Sequence, residues 1–166
     1  MILAALLFIR RVTATTQITA VDHSTETEGS QHSLIGKEVP PGVLVYRIFG
    51  AFLFGAADKL ETALHRANQE PDVLILRMRE VIAMDATALN ALESLHDKLT
   101  KRGRHLVLCG PHTQPYMMMD RTGFFDRLGR ENICADVEAA LARARLILGG
   151  PPTGDLESVS KNTVDR

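Results

Sequence analysis

The sequence predicts an α/β fold: a mostly parallel, mixed sheet of about four or five strands packed with about four helices. Two observations carry this expectation. The runs Asp72 to Met78 and His105 to Cys109 are almost entirely apolar and rich in branched residues, the pattern of strands covered on both faces. Between and after them apolar residues recur at helical spacing, as at Ala88, Ala91, Leu92, Leu95 and Leu99. Strands alternating with helices need crossover connections, and crossovers make neighbouring strands parallel.

The elements follow in order from residue 39. After Pro40-Pro41-Gly42, the β-branched segment Val43 to Ile48 reads as a strand, and Gly50 as a turn into a short second strand, Ala51 to Phe54. Ala56, Leu60, Ala63, Leu64 and Ala67 make a single helical stripe, which Asn68 to Pro71 ends. Asp72 to Met78 is the expected centre of the sheet, followed by Val81 to Asp85 and the helix that starts there, with Gly103 just past its end. His105 to Cys109 is the next strand. Gly110-Pro111 breaks it before a Met-rich helix that begins near Pro115 and is interrupted by Gly123. Ile133-Cys134 reads as a last short strand. Asp136 then caps a helix with Val137, Ala140, Leu141, Ala144, Ile147 and Leu148 on one face.

Outside this unit the composition changes. The chain has 166 residues and a formal net charge of −1, but the charge is unevenly placed. Met1 to Ile9 is an unbroken apolar run that stops at Arg10-Arg11, whereas a spanning helix needs about 20 apolar residues. A secretory signal places its positive charge before the apolar core, the reverse of this order. Two readings of residues 1–12 stay open: the cytoplasmic end of a transmembrane helix, with Arg10 and Arg11 as its membrane flank, or an apolar head that docks on the domain or lies disordered. Residues 13–38 are rich in Thr, Ser, Glu, Gln and Gly and read as a polar linker. Residues 39–149 form the folded domain. Gly149-Gly150-Pro151-Pro152 ends its last helix, and residues 150–166 read as a disordered tail.

Composition also excludes functions. The balance of charge gives no basic surplus with which to displace counterions, so no nucleic-acid partner is expected. Two cysteines with no close spacing make no disulfide framework and point to a reducing compartment. Cys109-Gly-Pro-His112 has a ligand-like spacing, but a structural zinc ion takes four ligands and Cys134 is the only other thiol, so no metal is expected. Gly50 to Gly55 lacks the Gly-Lys-Ser/Thr of a phosphate loop, and no cofactor is expected. Met117 to Met119 suits helical core filling, and Asp120, Arg121, Asp126 and Arg127 suit a solvated ion-paired face. No nucleophile and base stand out together, so the chain is not expected to be an enzyme.

One turn remains as a candidate site. Met84-Asp-Ala-Thr-Ala88 lies where strand gives way to helix, so Asp85 is placed to cap free N–H groups and Thr87 falls in the first helical turn. A structural cap accounts for these residues; so does a regulated surface site. A phosphate on Thr87 would be favoured by the helix dipole and repelled by the neighbouring Asp85.

The run Ile82-Ala-Met-Asp-Ala-Thr-Ala-Leu-Asn-Ala-Leu-Glu93 resembles the signature of the STAS domain, shared by bacterial anti-sigma-factor antagonists and the cytoplasmic C-terminal part of SulP-family anion permeases. Arg121-Thr-Gly-Phe124, Leu128-Gly-Arg-Glu-Asn-Ile133 and Ala139-Ala-Leu141 resemble later parts of that domain in permeases, and Ile2 to Arg11 resembles the end of the last membrane helix. Antagonists carry an Asp-Ser-Ser/Thr-Gly turn whose serine is phosphorylated by an anti-sigma kinase. Here Ala86 replaces one hydroxyl and Ala88 the glycine, and this Asp-Ala-Thr form resembles the permease branch.

The resemblance implies a non-catalytic regulatory or protein-interaction domain of a sulfate or other inorganic anion transporter, at the cytoplasmic face of the inner (plasma) membrane. Implied partners are the membrane helices of a permease core, a second STAS domain in a homodimer, or a cytoplasmic regulatory protein. Contact would centre on Asp85, Ala86, Thr87, Ala88 and Asn90. The alternative is a freestanding cytoplasmic antagonist, phosphorylated at the Asp85–Thr87 turn.

Overall fold

A computed structural model describes residues 17–20, 34, 37–53, 62 and 71–149. Among these residues the sheet has five strands, in the order β1 (Gln17–Ala20), β2 (Val43–Phe52), β3 (Val73–Met84), β4 (His105–Cys109) and β5 (Ile133–Cys134). β1 runs antiparallel to β2, and β2 through β5 are parallel to one another. The described helices are α1 (Ala86–Thr100), α2 (Thr113–Arg121), α3 (Phe124–Leu128) and α4 (Val137–Ile147), with a 3-10 turn at Arg130–Asn132. This is the mostly parallel α/β arrangement expected from the alternating pattern.

The central strand divides the core in two. Leu74, Leu76 and Met78 face one cluster with Ala88, Leu89 and Leu92 of α1, Met119 of α2, and Phe124, Phe125 and Leu128 of α3. Val73 and Ile75 face the other, with Val43, Val45, Val107 and the α4 residues Val137, Ala140, Leu141 and Ala144. Successive strand residues point to opposite faces, so an unbroken apolar run is needed wherever both faces are covered. The helical stripes obey the same constraint with local shifts. On α1, Leu89 is buried while Ala91 and Leu95 are half-buried, and at the end of α4 Leu148 is exposed although it continues the apolar face.

Three element boundaries differ from expectation. Val43 to Phe52 is one strand rather than two, and Gly50 lies inside it with φ of 91°. β3 carries extra residues at this point, since Arg47 and Phe49 oppose Arg77 and Glu80, and Gly50 and Ala51 oppose Val81 and Ala83. A glycine takes a positive φ without steric cost, so the ladder accommodates bulges instead of ending in a turn. The expected segments Asp72 to Met78 and Val81 to Asp85 are likewise joined in one twelve-residue strand, Val73–Met84.

The third difference lies in the segment read as a linker, where Gln17–Ala20 adds an antiparallel edge strand and Leu34 is buried in the core under α4. An edge strand is held largely by backbone hydrogen bonds and needs little apolar side chain, so composition does not announce it. The helix expected over Ala56 to Ala67 (apart from residue 62), the Arg10-Arg11 flank and residues 150–166 lie outside the described residues.

Candidate partner-contact site

The turn after β3 is built by its own cap. Asp85 adopts an extended conformation (φ −107°, ψ 176°), and its Oδ1 accepts the Ala88 N–H at 2.8 Å. Its carbonyl accepts the Leu89 N–H at 3.0 Å, closing the first turn of α1. A capping carboxylate satisfies one of the free N–H groups at a helix start and complements the positive end of the helix.

This turn sorts the five candidate residues by direction. Ala88 and Leu89 are buried in the core, Asp85 is half-buried, and Ala86, Thr87 and Asn90 are exposed. Ala88 is therefore a packing residue, and of the five the turn exposes Ala86, Thr87 and Asn90 to solvent. Sequence pattern brings all five together but does not say which of them face solvent.

Gln114, which the sequence reading did not single out, holds the turn from outside. Its Oε1 accepts the Met84 N–H at 2.9 Å, and its Nε2 donates to the Met84 carbonyl at 3.0 Å. The side-chain amide thus satisfies both backbone groups at the last residue of β3 and joins the first turn of α2 to the start of α1. A glutamine thirty residues away carries no sequence signal for this role, because the contact exists only once the chain is folded.

Beside Gln114 lies an open groove of about 600 Å³, lined by His112, Thr113, Met117, Met118, Arg121 and Thr122. The Met run divides across α2: Met119 is fully buried, Met118 half-buried and Met117 52% exposed. The expected ion-paired face also forms with other partners. Arg130 binds both Asp120 and Asp126, at 3.0 and 2.9 Å, while Arg127 reaches Glu93 on α1 at 2.7 Å and lies over the Phe124 ring.

The cysteines are structural. Cys109 and Cys134 are opposite one another on β4 and β5, both buried in the core under α4. Burial raises both thiols above their ordinary range, with Cys109 pushed up to about 12. Such thiols stay protonated and unreactive. His112 is exposed on the loop beyond β4, and among the described residues no group of three His, Cys, Asp or Glu side chains could hold a metal ion. No helix among the described residues is long and apolar enough to cross a membrane.

Residues 35–140 match the family model described as the STAS domain. YvdB of Bacillus subtilis (strain 168), which carries the name of a sulfate transporter, is 32% identical over 133 residues, covering 80% of this chain and 24% of that protein. This chain therefore spans about a quarter of that relative's length. A sulfate transporter family protein from Wolinella succinogenes, solved by crystallography, shows 38% identity and a TM-score of 0.66, covering 73% of this chain and 99% of that one. The SulP transporter STAS domain from Vibrio cholerae shows 28% identity and a TM-score of 0.58, over 68% of this chain and 88% of that one. With this fold and this match, the chain belongs to the STAS domain family, and its likeness is to the STAS domains of SulP transporters.

Proposed function

We propose that this chain is the cytoplasmic, non-catalytic part of a SulP-type permease for sulfate or a related inorganic anion, acting through protein contact. Its partners in this reading are the membrane helices of the permease core, on the same or a separate chain, and a second STAS domain or a cytoplasmic regulator. The likeness to the Wolinella transporter family protein over nearly that whole chain is the observation that carries the reading. The turn supports it in detail: Ala86, Thr87 and Asn90 are exposed on a rigidly capped helix start, a surface suited to recognition. Anion passage belongs to membrane helices, and the domain would set how that core folds, pairs or is regulated.

Uptake of labelled sulfate tests this reading in cells expressing a SulP core stripped of its own STAS domain. Fusing this chain to the core should raise uptake severalfold, and Thr87→Arg with Asn90→Arg should remove much of that gain without lowering the unfolding temperature. Equal uptake with and without the fusion would sink the proposal. The exposed Thr87 hydroxyl favours a second reading, that of an antagonist switched by an anti-sigma kinase. Mass spectrometry after incubation with such a kinase and ATP separates the two: phosphate on Thr87 and a kinase complex belong to the antagonist alone.

A further inference from the structure

The large apolar side chains left exposed are grouped by position in the fold. Phe49 is 49% exposed and Ile82 68% exposed, near the carboxyl ends of the adjacent strands β2 and β3. Their neighbours Ile48 and Val81 point into the core beneath α1, so Phe49 and Ile82 turn to the opposite face, beyond the reach of the α4 cluster. Arg79, on the same stretch of β3, is exposed and makes no ion pair among the described residues, whereas the nearby Glu80 is engaged by Arg47 at 3.5 Å. Among the described residues this edge therefore combines exposed apolar side chains with an exposed, unpaired cation and an ion-paired carboxylate.

The register of β1 says what lies beyond this edge. Gln17 opposes Phe49 and Ala20 opposes Tyr46, so β1 enters the sheet at the Phe49 end. Residues 12–16 separate Arg11 from Gln17, a span of about 20 Å at full extension. Upstream of that are Arg10-Arg11 and the apolar run Met1 to Ile9. At the opposite edge, Arg145 near the end of α4 donates to the Glu38 carbonyl ahead of β2 at 3.0 Å, and Leu148 is exposed there.

We infer that the carboxyl edge of the sheet rests on an anionic lipid surface, with Phe49 and Ile82 entering the boundary between headgroups and acyl chains and Arg79 placed at the lipid phosphates. The inference rests on the permease reading and deepens it by naming the edge that meets the membrane. Apolar side chains flanked by a cation are the surface pattern of interfacial binding, and the strand that enters the sheet at this edge is the one that follows Arg10-Arg11 in sequence.

The full chain, labelled with an environment-sensitive nitrobenzoxadiazole probe, tests this with vesicles of phosphatidylcholine and phosphatidylglycerol. Ile82→Cys, Phe49→Cys and Leu148→Cys place the probe at exposed positions, and the buried Cys109 and Cys134 leave these as the reactive thiols. Vesicles should raise and blue-shift probe emission severalfold at positions 82 and 49 and leave position 148 unchanged. Ile82→Ser combined with Phe49→Ser should lower the bound fraction severalfold.

Four results overturn the inference: no vesicle binding, binding with a silent probe at 82, a response at 148 equal to that at 82, or a blue-shifted probe at 82 before vesicles are added. The last assigns the patch to the apolar head or a second copy, and the silent probe leaves it to protein helices of the membrane core. Failure here leaves sulfate uptake by the fusion untouched, whereas failure of the uptake experiment with a responsive probe at 82 removes the permease reading alone.

Discussion

Gln114 offers the sharpest test of how the candidate site is held. It sits in the first turn of α2, and its amide forms two hydrogen bonds with Met84, whose side chain is buried at the end of β3. Gln114→Ala removes both bonds and leaves the Met84 N–H and carbonyl without those partners. Hydrogen bonds contribute roughly 0.5–1.5 kcal/mol each, so two give about 1–3 kcal/mol. The exposed glutamine position lets water recover part of this, and alanine improves helix propensity by a few tenths of a kcal/mol, so a net loss of about 1–2 kcal/mol is expected. For a chain of this size that corresponds to a fall in Tm of about 2–8 °C.

Urea and thermal unfolding followed by circular dichroism measure the loss, and amide hydrogen exchange locates it. Met84 N–H should lose protection while the amides of Leu74 to Leu76 in the strand interior keep theirs. Gln114→Asn, one methylene shorter, should lose nearly as much as alanine, because it cannot reach both groups. Unchanged stability in Gln114→Ala with Met84 N–H still protected would refute the reasoning and make the two bonds incidental to the fold.

Further outcomes follow from the same structure. Asp85→Ala removes the cap on Ala88 N–H and should cost about 1 kcal/mol by denaturant unfolding, with Asp85→Ser recovering most of it. Gly129→Ala should destabilise the chain by about 1–3 kcal/mol, since φ there is +88° and a Cβ would lie 2.8 Å from Glu131 Oε1 and 3.1 Å from Asn132 Nδ2; an unshifted Tm contradicts this. Burial pushes the Cys109 thiol up to about 12 from 9.0, so above pH 9 the unfolded chain binds fewer protons than the folded one. The associated stability is complete below about pH 9 and is lost as pH rises towards about 12. Cys109→Ala should flatten that alkaline decline in unfolding curves, and a thiol reagent at neutral pH should modify Cys109 only on unfolding.

Much of the architecture was legible in one dimension because its determinants are local. The stretches Val73 to Met78, apolar but for Arg77, and Leu106 to Cys109 demand cover on two faces, and the caps Asp85 and Asp136 mark helix starts, with Asp136 Oδ1 accepting Ala139 N–H just as Asp85 Oδ1 accepts Ala88 N–H. The Asp-Ala-Thr turn could likewise be located as the candidate contact site. Where local cues failed, the missing information was a partner remote in sequence. Gly50 looks like a turn until the extra residues of β3 are placed opposite it, and Gln17–Ala20 looks like a linker until the free edge of β2 is known. Their hydrogen bonds depend on register, which composition does not encode.

The sequence by itself determined the fold class, the family resemblance and the turn that opens α1, since hydrophobic periodicity and capping chemistry act within a few residues. Only the tertiary structure decided which residues of that turn face outward, that Gln114 clamps it from α2, and that Phe49 and Ile82 share an edge with the entry of β1. These depend on pleat parity, bulge position and strand order, which are set when distant segments pair.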